Sequence, residues 1–499
     1  MKRRTFVKTS ITAAASAAVL ENLISAEKES SKKPNLLIIQ CDELNFRTIG
    51  SYRDTLPDEQ AFMWGKKMVV DTPHIDSLAA EGTLCTKFYA ATPVCSPSRS
   101  SFISGCFPQN TGVPKNDLPI EDSIVTFANL LGYAGYATGY AGKWHLDGDG
   151  KPQWDPQRDF GFEDNRYMFN RGHWKQFEDT ENGPRIKARD GKGRPTYSVE
   201  GADEESFATD WLSNKAIDFI EEHKSEPFCY MLAIPDPHGP DTVRMPYDTM
   251  LDDSDSEMPR TFDKSAKDVP SWAEPADKCN YKMAAYLGMM KCIDDNVGRI
   301  LETLRERNII DDTIVIFTAD HGDLRGEHHR QNKGVPLEAS AKVPFIIRYP
   351  KKIAAARRID NVLNTVDFQS TILSMMGIKK SGNEEGRDAS QILTTGKVPK
   401  GWRDVTFMRG TGAIGATNGW VAAVTPRHKL ILSDKDEPWL LDLDEDPDEL
   451  TNFVHDEKQR ETARNLAKEI EAYGKRHNDP YTTNAKIRKA LEELAGYTE

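Results

Sequence analysis

The sequence predicts an α/β protein with a large, mainly parallel sheet sandwiched by helices and a smaller C-terminal α+β domain. Three observations support this prediction. Short apolar runs have the composition of buried strands, helical patterns lie between them, and most of the runs end in a polar group. In open α/β sheets, binding sites form at the carboxyl ends of the strands, so these polar groups are expected to meet in one crevice.

Four apolar runs have the continuous, β-branched character of strands that are covered on both faces. These runs are Leu36–Ile39, Phe228–Ile234, Thr313–Thr318 and Phe345–Ile347. The polar groups that follow the first three runs are Asp42, Asp236 with His238, and Asp320 with His321. Between the runs, Ser206–His223 and Tyr281–Arg307 carry apolar residues at helical spacing.

The remaining segments suggest how the chain is divided. The polar stretch Asn165–Gly201 is either an insertion that walls a substrate cleft or a plain surface loop. Met250–Ala276 is predicted to be another long segment outside the regular elements. Lys379–Lys400 has the composition of a linker. The predicted divisions are therefore a signal peptide at 1–26, a catalytic domain at 33–378, and a smaller C-terminal domain with an antiparallel sheet and a helix at 400–499.

Within the smaller domain, strands are predicted around Val405–Val424 and Lys429–Leu443, and a helix at Asp456–Tyr473. Two domains also agree with the length of 499 residues, because a single core rarely exceeds roughly 250–300 residues.

The formal net charge of -13 gives the protein no overall attraction for nucleic acid or anionic membranes. Positive charge that binds an anionic substrate must therefore be local. The seven cysteines form no CxxC pair, which argues against a zinc or iron–sulfur cage.

The N-terminus has the order of a signal peptide: a charged stretch, a mildly apolar stretch, and small residues near Ala26. The pattern of Arg3, Arg4, Phe6 and Lys8 resembles a bacterial twin-arginine signal, and a general secretory signal is the alternative. The apolar part is too short for a stable membrane anchor. We therefore expect an exported protein, periplasmic or secreted, that uses the export machinery.

Two long motifs occur in order. CSPSRSSFISG begins at Cys95 and resembles the signature C-x-P-S-R-x-x-x-L-[ST]-G, with Ile103 in place of leucine. GYATGYAGKWH ends at His145 and resembles G-Y-x-T-x-x-x-G-K-x-H. Because the likeness extends over nearly the whole mature chain, the protein is identified as a member of the formylglycine-dependent sulfatases, in the alkaline-phosphatase-like superfamily.

The resemblance implies that a formylglycine-generating maturation enzyme oxidises Cys95 to an aldehyde, which hydrates to a geminal diol. One hydroxyl of a diol can attack sulfur, and the other can expel sulfate as the aldehyde reforms. A thiol would instead give a stable adduct. This is covalent catalysis that divides one difficult step into two.

The resemblance also implies a divalent metal held by Asp42, Cys95, Asp320 and His321. Oxygen-rich ligation favours a hard cation, calcium first and magnesium second. Many relatives have two adjacent aspartates where this chain has Asp42 and Glu43, so it is open whether Glu43 reaches the metal.

By the same resemblance, Arg99, Lys143 and Lys333 bind the sulfate and stabilise the charge that develops on the leaving oxygen. Lys342 is a rival for the place of Lys333. Histidine suits proton transfer near neutral pH. His145 is expected to take the proton that triggers sulfate release, and His238 to protonate or polarise the leaving alcohol.

These expectations favour a sulfatase that acts on a sulfated carbohydrate, with no nucleic-acid partner. Export and the basic, aromatic segment Asn165–Gly201 favour a sugar. Two alternatives remain: a phosphate or phosphonate ester hydrolase of the same superfamily, and a non-catalytic protein that binds sulfated glycans and never converts Cys95.

Overall fold

The computed structural model of the chain describes residues 33–156, 158–263, 269–412 and 419–496. The predicted signal peptide at 1–26 lies outside these residues. In the described ranges, no helix combines the length and the apolar composition needed to cross a membrane.

The strands are numbered in chain order. They are β1 (Asn35–Asp42), β2 (Thr83–Cys85), β3 (Phe88–Tyr89), β4 (Ala137–Lys143), β5 (Asp164–Phe169), β6 (Phe177–Thr180), β7 (Gly183–Ile186), β8 (Phe228–Pro237), β9 (Thr313–Ala319), β10 (Lys342–Val343), β11 (Phe345–Arg348), β12 (Arg357–Ile359), β13 (Leu363–Asn364), β14 (Thr406–Arg409), β15 (Trp420–Val424), β16 (His428–Ser433) and β17 (Trp439–Asp442).

The α-helices are numbered in the same way. They are α1 (Gly50–Arg53), α2 (Asp58–Ala61), α3 (Pro73–Ala80), α4 (Cys95–Ser104), α5 (Phe127–Tyr133), α6 (Ala208–His223), α7 (Met283–Glu306), α8 (Glu338–Ala341), α9 (Asp367–Met376), α10 (Ser390–Thr395), α11 (Arg460–His477) and α12 (Ala485–Ala495).

The centre of the molecule is an eight-stranded sheet with the order β12-β2-β11-β9-β1-β8-β4-β5. The five strands from β9 to β5 run parallel, whereas β11 is antiparallel to β9. Every residue of β1 and β8 is buried. Because successive side chains of a strand point to opposite faces, both faces of the sheet are covered. The predicted fold class is confirmed.

The smaller C-terminal sheet is antiparallel, with the order β14-β15-β16-β17. Its strands and helices α11 and α12 share an apolar core that includes Val421, Leu430, Leu440, Leu466 and Ile470. This sheet and its two helices are the predicted smaller α+β part of the fold.

Three local predictions need correction. Strand β5 of the main sheet, at 164–169, takes up the start of the predicted insertion Asn165–Gly201, and the remainder includes the β6–β7 hairpin. The predicted linker contains α10, whose Ile392 and Leu393 are buried. Strand β4 was missed because its sequence, ATGYAGK, has small residues where buried strands usually carry β-branched ones.

Candidate active site

The carboxyl ends of four parallel strands meet at one edge of the main sheet. Asp42 is the last residue of β1, Lys143 is the last residue of β4, and Asp320 directly follows β9. Strand β8 ends one residue before His238. Side chains that are distant in the sequence are therefore brought together by the strand order alone.

Cys95 is the first residue of α4, next to these strand ends. Its Sγ lies 3.2 Å from His321 Nε2, 3.6 Å from Asp42 Oδ1 and 3.6 Å from Lys143 Nζ. Burial and Asp42 raise the pKa of the thiol, but Lys143, Lys333 and His321 outweigh them and lower it well below its usual value. The start of a helix also favours negative charge.

Arg99 lies one helical turn after Cys95, so both side chains face the strand ends. Its Nε donates to Asp320 Oδ2 at 2.8 Å, and Nη1 donates to the backbone oxygen of Lys143 at 2.6 Å. Its Nη2 is buried and has no hydrogen-bond partner within the described chain. Arg99 therefore joins α4 to two strands and retains an N–H group for an anion.

The ion pair between Asp42 and Lys143 lies at the centre of the site. Lys143 Nζ is 2.5 Å from Asp42 Oδ2, and both side chains are fully buried. Burial raises the pKa of Asp42, but Lys143, His238 and Arg99 prevail and hold it well below its usual value. Asp42 is therefore a carboxylate over the whole physiological pH range.

Asp42, Cys95, Asp320 and His321 each offer one donor atom, and these atoms all lie within 4.8 Å of one another. His321 Nδ1 donates to Gly322 O at 3.0 Å, which leaves the lone pair of Nε2 facing the other donors. Burial and the adjacent Asp42 raise the pKa of Asp320 because both destabilise its carboxylate form. A bound cation would remove this destabilisation. The donor set, with its second hydrogen bond from the histidine, fits a divalent cation.

Glu43 is not one of these four residues. Its backbone has a left-handed φ of 61°, and its Oε2 lies 2.7 Å from His238 Nε2 and 2.9 Å from Lys333 Nζ. Burial raises the pKa of Glu43, but His238 and Lys333 lower it far more. The Oε2 atom of this carboxylate therefore contacts a histidine and a lysine, whereas Oε1 is buried and has no hydrogen-bond partner within the described chain.

His238 has a hydrogen-bond partner at Nε2 in both its neutral and its protonated form. Its Nδ1 donates to Gly239 O at 2.9 Å. Its Nε2 lies 2.8 Å from Lys333 Nζ and 2.7 Å from Glu43 Oε2. The neutral ring can accept a hydrogen bond from Lys333, and the protonated ring can donate to Glu43.

Three predicted residues remain: Lys333, its rival Lys342, and His145. Lys333 is in this site, whereas Lys342 is held by Glu338 Oε2 at 2.7 Å. His145 follows β4 by two residues, and its Nε2 lies 2.9 Å from Asp117 Oδ1.

His173 lies among these residues but was not predicted from the sequence. Its Nε2 lies 2.8 Å from Lys143 Nζ, and its ring stacks on that of His238 with centroids 3.4 Å apart and planes 8° apart. Burial, Lys143 and His238 lower its pKa well below the usual value, so the neutral ring accepts from Lys143. His173 follows the end of β5 by four residues, so the strand-end rule could have found it if β5 had been recognised.

The fold and the site are typical of a hydrolase of anionic esters, with cationic side chains around a buried cysteine. A family model described as Sulfatase matches residues 34–378, and one described as N-sulphoglucosamine sulphohydrolase, C-terminal, matches residues 326–476. The chain belongs to the sulfatase family and is a sulfuric ester hydrolase.

One curated relative is the N-acetylglucosamine-6-O-sulfatase of Bacteroides thetaiotaomicron. It is 26% identical over 548 residues, which cover 92% of this chain and 90% of the relative. A solved structure in complex with its substrate, D-glucosamine-2-N,6-O-disulfate, has a TM-score of 0.72 at 21% identity and covers 90% of this chain and 99% of that chain. The phosphonate monoester hydrolase of Agrobacterium radiobacter has a TM-score of 0.66 at 23% identity, with coverages of 89% and 96%. These two structures share the fold of this chain.

Proposed function

We propose that this protein is an exported enzyme that removes sulfate from a sulfated carbohydrate, with formylglycine made from Cys95 as its nucleophile. The observation that carries the proposal is the position of Cys95 Sγ, within 3.6 Å of Asp42, Lys143 and His321. A buried cysteine with a purely structural role has no need of an ammonium group, an imidazole and a carboxylate around its sulfur.

In this proposal Asp42, Cys95, Asp320 and His321 hold a divalent cation, calcium first and magnesium second. When bound, such a cation acidifies the attacking hydroxyl and polarises a sulfate oxygen. The hydrated formylglycine supplies one hydroxyl to attack sulfur and a second to drive the release of sulfate. The other residues of the site bind the ester and move protons.

Arg99, Lys143 and Lys333 bind the sulfate oxygens and stabilise the charge that shifts to the leaving oxygen. Preorganised donors of this kind contribute about 3 kcal/mol each in a site that excludes water. Lys143 is fully buried between Asp42 and His173, so its ammonium group is fixed before substrate arrives.

His238 is the proposed acid for the leaving alcohol. In the protonated ring, Nε2–H donates to Glu43, and transfer of this proton to the leaving oxygen produces the neutral ring that accepts from Lys333. His145 is the proposed base for the release of sulfate. His173 is the second hydrogen-bond partner of the Lys143 ammonium group, beside Asp42, and helps to hold Lys143 in place.

A carbohydrate is the proposed substrate because curated relatives include sugar sulfatases. The segment after β5 adds a stacked pair, Trp174 and Tyr197, with Lys151 Nζ 5.2 Å from the centroid of the Tyr197 ring. The proposal includes export through a twin-arginine signal at 1–26 and maturation by a formylglycine-generating enzyme.

The likeness to a phosphonate monoester hydrolase supports a second candidate, the hydrolysis of phosphate or phosphonate esters. Turnover of nitrophenyl sulfate, nitrophenyl phosphate and a nitrophenyl phosphonate by the mature enzyme separates the two candidates. We expect sulfate turnover to dominate, and Cys95→Ala to abolish it with a loss of at least about 10⁴-fold. Dominant phosphatase or phosphonatase activity would contradict the first candidate. A panel of defined sulfated oligosaccharides then identifies the sugar.

A further inference from the structure

The ring of His145 is held by a residue that no motif contains. His145 Nε2 lies 2.9 Å from Asp117 Oδ1, and Arg171 Nε lies 3.0 Å from the same oxygen. Asp117 and His145 both have left-handed backbones, with φ of 67° and 61°. The backbone of His145 is fixed as well, because its N–H donates to Asn170 O at 2.7 Å.

This contact decides which ring nitrogen is available for chemistry. A carboxylate only accepts hydrogen bonds, so Nε2 must carry the proton that points to Asp117. The lone pair of the neutral ring is then on Nδ1. That atom is buried and has no hydrogen-bond partner in the part of the chain that the structure describes.

We propose that Asp117 is the positioning residue of His145: it fixes the Nε2–H tautomer, so that Nδ1 is the atom that accepts a proton from the nucleophile. This inference rests on the base role proposed for His145. Arg171 contacts the same oxygen of Asp117 and helps to keep its carboxylate oriented. The logic is that of a carboxylate–histidine pair, in which the carboxylate sets the tautomer and the ring moves the proton.

Asp117 contributes little to the stability of the folded protein. Its side chain is 41% exposed, and exposed ion pairs contribute only about 0–1 kcal/mol to stability. Asp117→Ala is therefore expected to fold, and a loss of activity in this variant reports on the site.

The first test needs no mature nucleophile. Protein with the Cys95→Ala substitution and ¹⁵N-labelled histidine is compared with and without Asp117→Ala by long-range ¹H–¹⁵N NMR, and a His145→Gln sample assigns the signal of His145. We expect the Nε2–H tautomer when Asp117 is present and a mixture of tautomers when it is absent. An Nδ1–H tautomer in the presence of Asp117 would overturn the proposal.

The second test uses the mature enzyme and a double-mutant cycle. Asp117→Ala is expected to lower kcat by about 10-fold to 100-fold with little change in KM. In the His145→Ala background, Asp117→Ala should have no further effect. A full additional loss in that background would overturn the proposal.

Asp122→Ala is the matched control. Asp122 lies in the same loop and pairs with Arg158 at 2.7 Å, with its side chain 84% exposed. Its loss should leave both the NMR signal and the kinetics unchanged. If the wild-type enzyme turned over no sulfate ester, the proposed function would fail, whereas the NMR result would still test the inference about Asp117.

Discussion

Two halves of the site differ in how the chain builds them. The nucleophile half consists of Asp42, Cys95, Arg99, Asp320 and His321, and the leaving-group half consists of Glu43, His173, His238 and Lys333. Side chains of the first half are 0–2% exposed and lie at strand ends or at the start of α4. In the second half, His173, His238 and Lys333 are 23%, 16% and 15% exposed and lie in loops.

This difference indicates which structural elements carry each catalytic task. Under the proposed mechanism, secondary structure fixes the group that attacks, and loops supply the groups that meet the variable part of the substrate. Changes in the first half should therefore affect every ester, whereas changes in the second should depend on the alcohol that leaves.

Among variants that keep Cys95, Lys143→Met is expected to have the largest effect, because Lys143 Nζ contacts Asp42 in the first half and His173 in the second. We expect kcat to fall by about 10³-fold for aryl and alkyl sulfates alike. Steady-state kinetics with both substrates check this, with the exposed Lys115→Met as a control. A loss confined to one substrate would show that the two halves do not meet at Lys143.

Lys333→Met should distinguish the contribution of the leaving-group half from that of the nucleophile half. Lys333 Nζ lies 2.8 Å from His238 Nε2, on the side of the leaving alcohol. We expect a loss of about 10²-fold for an alkyl sulfate and of less than about 10-fold for nitrophenyl sulfate, because nitrophenolate leaves without help. Equal losses for the two esters would argue that Lys333 binds sulfate only.

The nucleophile half could be predicted from the sequence because two local signals overlap there. Asp42 and Asp320 follow apolar runs, and Cys95 and Arg99 lie in a long motif with helical spacing. The leaving-group half was predicted only in part. His173 follows β5, whose sequence DNRYMF lacks the apolar run that marked the other strands.

Other features depend on tertiary geometry that no sequence pattern encodes. The Oε2 atom of Glu43 lies 2.7 Å from His238 Nε2, and nothing in the sequence predicts this contact. Asp117 and His145 are brought together only by the folding of two loops. The helix α10 was hidden in a polar stretch that has the composition of a linker.

His173→Ala tests the residue that the sequence analysis missed. It removes the acceptor for Lys143 and the ring stacked on His238, so we expect kcat to fall by about 10-fold. His173→Asn retains an acceptor and should recover part of the loss. If asparagine were no better than alanine, the hydrogen bond to Lys143 would not be the reason that His173 matters.

Trp420→Phe should have the smallest effect, and it tests how the C-terminal sheet supports the leaving-group half. The buried Trp420 Nε1 donates to Gly334 O at 3.3 Å, next to Lys333. The loss of this bond costs about 1 kcal/mol. We expect a decline of a few-fold for the alkyl sulfate and none for nitrophenyl sulfate. An equal decline for both would indicate general destabilisation, which thermal unfolding would reveal.

The central claim is that Cys95 becomes the aldehyde that attacks sulfur in the nucleophile half. Mass spectrometry of the peptide that contains Cys95 tests it most directly, in protein purified from its native host. We predict that the aldehyde replaces the thiol and that a hydrazine reagent labels this peptide, but not the same peptide from the Cys95→Ala variant. An intact thiol at Cys95 in protein that still hydrolyses sulfate esters would contradict the account.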